Sequence, residues 1–214
     1  MNGEVQVVGD VAAAFAGLAR ETQPASVALS GGATARRCYE HLAGFADIDW
    51  ASVDVLIGDE RWVPVGDPDS NEGMARAVLL DRVGANRVHS ARGAAPTLDE
   101  AAVAYHELVN GMAPVDLVHL GLGEDGHTAS LFPGAPALAE TERLVVATTD
   151  ALHPHPRLTF TYPALERARL VVFTVEGEGK REAFAKVRDG EDLPAARVRA
   201  ERVIWLVTPE VAGA

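Results

Sequence analysis

Cysteine is almost absent from this 214-residue chain. Cys38 stands alone, so neither an intramolecular disulfide nor a multi-cysteine metal site can form, and iron–sulfur and zinc-ribbon readings fall away. Such a chain suits a reducing compartment. Positive charge is scarce too: 19 Lys+Arg against 31 Asp+Glu leave a net charge of −12. That balance repels nucleic-acid backbones and anionic membrane surfaces. No run approaches the ~18 consecutive apolar residues that mark a membrane span, and Met1-Asn2-Gly3-Glu4 lacks the basic and apolar stretches of a signal peptide. The expectation is a cytoplasmic protein with neither nucleic acid nor membrane as partner. Internal repeats, low-complexity tracts and linkers are missing as well, so residues 1–214 are expected to form one domain.

What is there reads as an ordinary folded protein, with 48% hydrophobic and 23% charged residues. Short β-branched runs alternate with Ala-rich segments of helical period. This is the pattern of an α/β, Rossmann-like three-layer sandwich, a mainly parallel central sheet flanked by helices. Expected strands are Val5–Val8, Val27–Ser30, Val53–Gly58, Val115–Gly121, Leu144–Thr148, Leu158–Thr161, Leu170–Val175 and Val203–Val207. Val53–Ile57 and Leu170–Phe173 are apolar on both faces, as buried central strands should be. Asp10–Glu21 opens on an Asp N-cap, and Thr97–Met112 on a Thr-Leu-Asp-Glu capping box. Two stretches, Asp59–Glu72 and Glu124–Pro136, follow neither period and are expected to be loops.

Four segments carry chemistry. Val27–Ser30 runs into Gly31-Gly32-Ala33-Thr34 and then a helix of about ten residues, a turn that aims free backbone N–H groups at an anion. The plainer reading is a tight turn with Thr34 as a local cap. Asp59-Glu60-Arg61-Trp62 places three charges at the carboxyl end of a buried strand, where open α/β sheets bind ligands. Downstream, Ser70 or Asn71 caps the helix that runs through Ala77–Leu80. The Gly121–Gly134 block delivers Asp125 and His127 separated only by Gly126, a carboxylate placed to orient an imidazole. Arg157 at a strand start and Lys180 in a glycine turn add the cations that a phosphate site in an acidic protein needs. Among the other histidines, His119 lies within a strand and is expected to be packed or hydrogen-bonded there. His153-Pro154-His155-Pro156 reads as a stiff loop rather than a metal site, and His41, His89 and His106 stand alone.

Taken together these segments resemble the 6-phosphogluconolactonase family, related in fold to glucosamine-6-phosphate deaminase. The resemblance runs in order through Leu29–Gly32, Asp59–Pro64, Ser70-Asn71, the long Gly121–Gly134 block, Arg157–Thr159 and Gly179-Lys180. Deaminase relatives follow their Asp-Gly-His with Phe-Asn-Glu-Pro, whereas this chain reads Ser130-Leu131-Phe132-Pro133, which favours the lactonase. The flanks depart from the family pattern: Ala33 and Ala35 stand where Ser and Pro are usual, and Thr208-Pro209 where an Asp is common. The resemblance implies hydrolysis of 6-phosphoglucono-δ-lactone, with His127 as general base and then acid, Asp125 tuning it, and Arg61 as first candidate for the oxyanion. It further implies substrate and phosphate contacts from Ser30, Gly31, Gly32, Thr34, Asp59, Arg61, Arg157 and Lys180. A lactone is already an activated ester, so neither a metal nor an organic cofactor is expected. The partner is the small sugar-phosphate lactone, and the chain is expected to act as a monomer, with a dimer as the alternative. The competing readings are a sugar-phosphate isomerase or deaminase, and a non-catalytic sugar-phosphate sensor.

Overall fold

The structure is a computed structural model that describes residues 1–150 and 153–213. Seven strands pair in parallel: β1 (Glu4–Val7), β2 (Ser26–Leu29), β3 (Asp54–Ile57), β5 (Val88–His89), β6 (Leu117–Leu120), β9 (Leu170–Val175) and β10 (Arg202–Val207). Their order is β1-β10-β9-β6-β2-β3-β5. Strand β9, whose Leu170–Phe173 run is apolar on both faces, is buried along its whole length because it lies inside this sheet. From β2 the chain winds outward to β3 and β5, whereas from β6 it winds the other way to β9 and β10. The boundary between β2 and β6 is therefore the topological switch point, where the loops leaving the two strands diverge and open a crevice.

Helices cover both faces. In α1 (Val11–Thr22), Asp10 accepts hydrogen bonds from the Ala12 and Ala13 N–H groups, and Phe15 stacks on His119 of β6. Strand alternation sends Trp205 of β10 to the opposite face, where Phe184 of α7 (Arg181–Arg188) meets it. Beside α1 lies α2 (Ala33–Leu42). The N-cap forms as expected on α5 (Leu98–Gly111), where Thr97 Oγ1 accepts from the Glu100 N–H, but the Glu100 carboxylate takes the Thr97 hydroxyl in place of the backbone bond of a full capping box.

A second, antiparallel sheet carries part of the site. It orders β4 (Asp59–Arg61), β8 (Arg157–Phe160) and β7 (Val145–Thr148) as β4-β8-β7. Gly58 joins the two sheets, since its N–H donates to Leu29 O in β2 and its carbonyl accepts from Phe160 N–H in β8. This corrects the reading of Asp59–Glu72 as loop throughout. Three charged residues show no apolar alternation, so β4 exists only through its pairing with β8. The two-residue β5 is likewise too short to leave a pattern.

Two smaller readings also change and one is resolved. Thr34 caps nothing: the N-cap of α2 is Gly32, at φ 96°, with no side-chain bond. Ser70, not Asn71, caps α3 (Asn71–Ala75), and the helix then widens into a π turn over Arg76–Leu80. His89 and His106 do not stand alone, because His89 Nε2 lies 2.7 Å from Asp54 Oδ1 and His106 Nδ1 accepts the Leu144 N–H. No helix among the described residues is long and apolar enough to cross a membrane.

Candidate active site

The crevice at the switch point is a cleft of about 330 Å³. It gathers Ser30, Gly31, Gly32 and Thr34 from the turn after β2, Asp59 and Arg61 from β4, His127 from the loop after β6, Arg157 from β8, and Lys180 from the turn after β9. Every expected site residue except Asp125 lines it, and Asp125 stands directly behind His127.

The Gly121–Gly134 block is a folded device. Its turn is closed by a hydrogen bond from Gly123 N–H to His127 O and by Thr128 Oγ1 donating to Gly121 O. Asp125 Oδ1 accepts from the His127 backbone N–H and lies 2.5 Å from His127 Nδ1. An ionised carboxylate can only accept, so Nδ1 carries the hydrogen and the neutral ring keeps its free lone pair on Nε2. Burial pushes the Asp125 carboxyl up, but the His127 backbone N–H and imidazole outweigh it, leaving it below its ordinary value. Close approach requires glycine at 123, where a Cβ would stand 2.1 Å from His127 Nδ1. Phe132 walls the ring on another side, with centroids 4.9 Å apart.

Strand alternation sorts the three charges of β4. Glu60 turns away from its neighbours and is buried, where its carboxylate accepts the N–H groups of Arg61, Asn71 and Glu72 and the Ser70 hydroxyl. It anchors the 59–72 segment; burial raises its pKa even against those donors. Asp59 and Arg61 share the other face. Register then sets Arg61 directly opposite Arg157 and Asp59 opposite Thr159. Like charges directly opposite on a sheet destabilise it.

Asp59 is the nearest counter-charge of the two arginines. Arg157 is buried, 3.9 Å from Asp59 Oδ2 and 3.4 Å from Ser130 Oγ. Arg61 gives Nη1 to the Asp69 carbonyl, and the Nε groups of both arginines are buried with no hydrogen-bond partner among the described residues. Burial, joined by the charge of Arg61, pushes the Arg157 pKa below its ordinary value even against the pull of Asp59. Such an arrangement asks for an anion.

The turn after β2 presents a second set of donors. Gly31 is required there because a Cβ would lie 1.8 Å from Asn71 Oδ1. The first turn of α2 has no acidic residue or side-chain cap, so its N–H groups face the cleft uncapped. Ser30 Oγ is buried there without a hydrogen-bond partner among the described residues. Arg37 of α2 pairs with Glu176, which brings the turn holding Lys180 alongside, and Lys180 itself forms no ion pair among the described residues.

Two polar contributors were invisible in the sequence. Ser130, wholly buried, donates to Asp59 Oδ2 at 2.7 Å, and Asn71 donates to the Asp59 carbonyl at 2.7 Å. Both sit in segments already singled out, but their partners lie 71 and 12 residues away. His153 and His155 bond to Asp150 and Asp69 respectively, and no group of three or more His, Cys, Asp or Glu that could hold a metal gathers among the described residues.

Fold and cleft together define a class: an α/β protein whose switch-point crevice joins a His–Asp pair to two sets of anion-seeking donors. Comparison with known proteins narrows it, since residues 4–205 match the family described as glucosamine-6-phosphate isomerases/6-phosphogluconolactonase. The chain belongs to this family. It is 43% identical over 198 residues to a 6-phosphogluconolactonase of Synechocystis, covering 85% of this chain and 81% of that one. A 6-phosphogluconolactonase of Mycobacterium tuberculosis is 37% identical over 226 residues, covering 97% and 90%. Among solved structures, the Thermotoga maritima 6-phosphogluconolactonase superposes with a TM-score of 0.86 at 28% identity, covering 97% of this chain and all of that one. A monomeric glucosamine-6-phosphate deaminase superposes almost as well, at 0.85, but is 20% identical. The fold alone does not separate the two activities.

Proposed function

We propose that this protein hydrolyses 6-phosphoglucono-δ-lactone to 6-phosphogluconate. The observation that carries the reading is the His127–Asp125 pair, its free Nε2 set in a cleft that also holds the cross-strand arginines. His127 Nε2 takes a proton from water as the oxygen attacks the lactone carbonyl; collapse of the tetrahedral intermediate breaks the bond to the ring oxygen, which receives that proton. Asp125 fixes the tautomer and stabilises the imidazolium that forms in between.

A lactone with a phosphate makes two anionic demands on the site. The permanent phosphate suits the Arg61–Arg157 pair, whose buried Nε groups lack partners among the described residues and whose register sets two cations face to face. That assignment moves Arg61 from the carbonyl to the phosphate end. The transient oxyanion suits the Ser30–Thr34 turn, where backbone N–H groups at a helix start and Lys180 supply fixed positive potential. Asp59, held by Ser130, faces the sugar hydroxyls and balances Arg157.

The test generates the lactone in situ with glucose-6-phosphate dehydrogenase and follows its disappearance. Acceleration above spontaneous hydrolysis is expected. No acceleration by folded protein, with ammonia released from glucosamine 6-phosphate, would establish the deaminase instead.

A further inference from the structure

One buried histidine takes no part in the chemistry above, yet it stands beneath the crevice. His119 of β6 is 1% exposed, and both of its ring nitrogens are engaged. Nδ1 lies 2.9 Å from Tyr39 Oη, and Nε2 lies 2.8 Å from Thr174 Oγ1. Tyr39, wholly buried in α2, clasps one residue by both its backbone groups: Oη accepts the Ser30 N–H at 2.7 Å and lies 3.2 Å from Ser30 O. Ser30 opens the turn that feeds the cleft, and Thr174 also lines that cleft. Phe15 stacks on the imidazole at 4.1 Å, so the ring cannot swing away. A chain of side chains from β9, β6 and α2 thus converges on the backbone of one cleft residue.

From this geometry we infer that His119, acting through Tyr39, is a positioning residue that sets the Ser30–Thr34 turn for the transition state of lactone hydrolysis. The inference rests on the function proposed above. A tyrosine hydroxyl has one hydrogen and a rotatable C–O bond, so alone it could satisfy Ser30 in several orientations. The imidazole removes that freedom. Burial drives the His119 pKa down to about 3, so the ring stays neutral and offers one donor and one acceptor. Either tautomer fixes the hydroxyl: with Nδ1–H given to Oη the Tyr39 hydrogen goes to Ser30 O, and with Nε2–H given to Thr174 it goes to Nδ1, so in both cases Oη still accepts the Ser30 N–H. Oxyanion donors act only when preset at the right distance, and their support is part of the catalytic site's precision.

The test exploits the two ring nitrogens separately. In His119→Asn the amide reaches the place of Nδ1 and keeps the Tyr39 bond; in His119→Gln it reaches the place of Nε2 and keeps only Thr174. Tyr39→Phe removes a single oxygen, the change least able to unfold the protein. The expected result is kcat lowered about 10-fold in His119→Gln and Tyr39→Phe, restored within about threefold in His119→Asn, with KM unchanged in all three. Wild type and His127→Ala in the same series test the lactonase reading separately, so an inactive wild type is not confused with an inert His119. Three variants indistinguishable from wild type would overturn the inference, as would a rise in KM at constant kcat.

Discussion

Gly123→Ala tests whether the His–Asp pair needs the backbone beneath it as close as the structure sets it. The backbone at 123 lies outside the left-handed region, so alanine meets no conformational barrier. Its Cβ meets the pair instead, 2.1 Å from His127 Nδ1, 2.3 Å from Cε1 and 2.6 Å from Asp125 Oδ1. Ordinary contact begins near 3.4 Å, so the imidazole must retreat by 3.4 − 2.1 = 1.3 Å. Retreat breaks the 2.5 Å contact with Asp125 or drives the ring toward Phe132. A misplacement of about 1 Å in a catalytic group costs on the order of 10²-fold. Steady-state lactone hydrolysis should therefore show kcat reduced about 10²-fold and KM within about threefold, since the arginine pair and the turn are untouched. Thermal unfolding should move by only a few degrees, because the strained atoms lie in a partly exposed loop. A variant with wild-type kcat would refute the claim that this spacing sets the base.

Removing either cross-strand cation, by Arg61→Ala or Arg157→Ala, should raise KM about 10- to 100-fold with a smaller change in kcat, read from initial rates. Glu60→Ala leaves four donors of the 59–72 segment without their acceptor and should lower stability by about 3 kcal/mol or more, measured by urea unfolding. His119 should shape the acid limb of stability. Its pKa is near 3 when folded and near 6.5 when unfolded, so the unfolded chain binds the extra proton between those values. The stability it contributes is complete above pH 6.5 and falls as pH drops, by about 1 kcal/mol from pH 6 to 5, and His119→Asn should flatten that limb.

The central sheet was legible because buried parallel strands write themselves as apolar runs: Leu170–Val175 appears with the same bounds in sequence and structure. Caps were legible for a similar reason, since Asp10 and Thr97 act within four residues of themselves. The antiparallel sheet was legible in two of its strands, Leu144–Thr148 and Leu158–Thr161, and not in the third. Its strand Asp59–Arg61 carries three charges and takes its form from Leu158 and its neighbours, about 100 residues away. The cleft followed the same rule. His127 and Asp125 are two positions apart and were readable as a pair, whereas the opposition of Arg61 to Arg157 and the bond from Ser130 to Asp59 are long-range facts of register. Tyr39 and His119 show it most plainly: an apolar strand containing one histidine says only that the ring is satisfied, not that it braces a turn.

Lactone hydrolysis in this cleft turns on His127. Its replacement by alanine, assayed on lactone generated in situ at substrate concentrations above KM, should lower kcat about 10²- to 10⁴-fold while the folded protein still binds 6-phosphogluconate. Turnover unchanged in His127→Ala would contradict the account, whatever the rest of the cleft proves to bind.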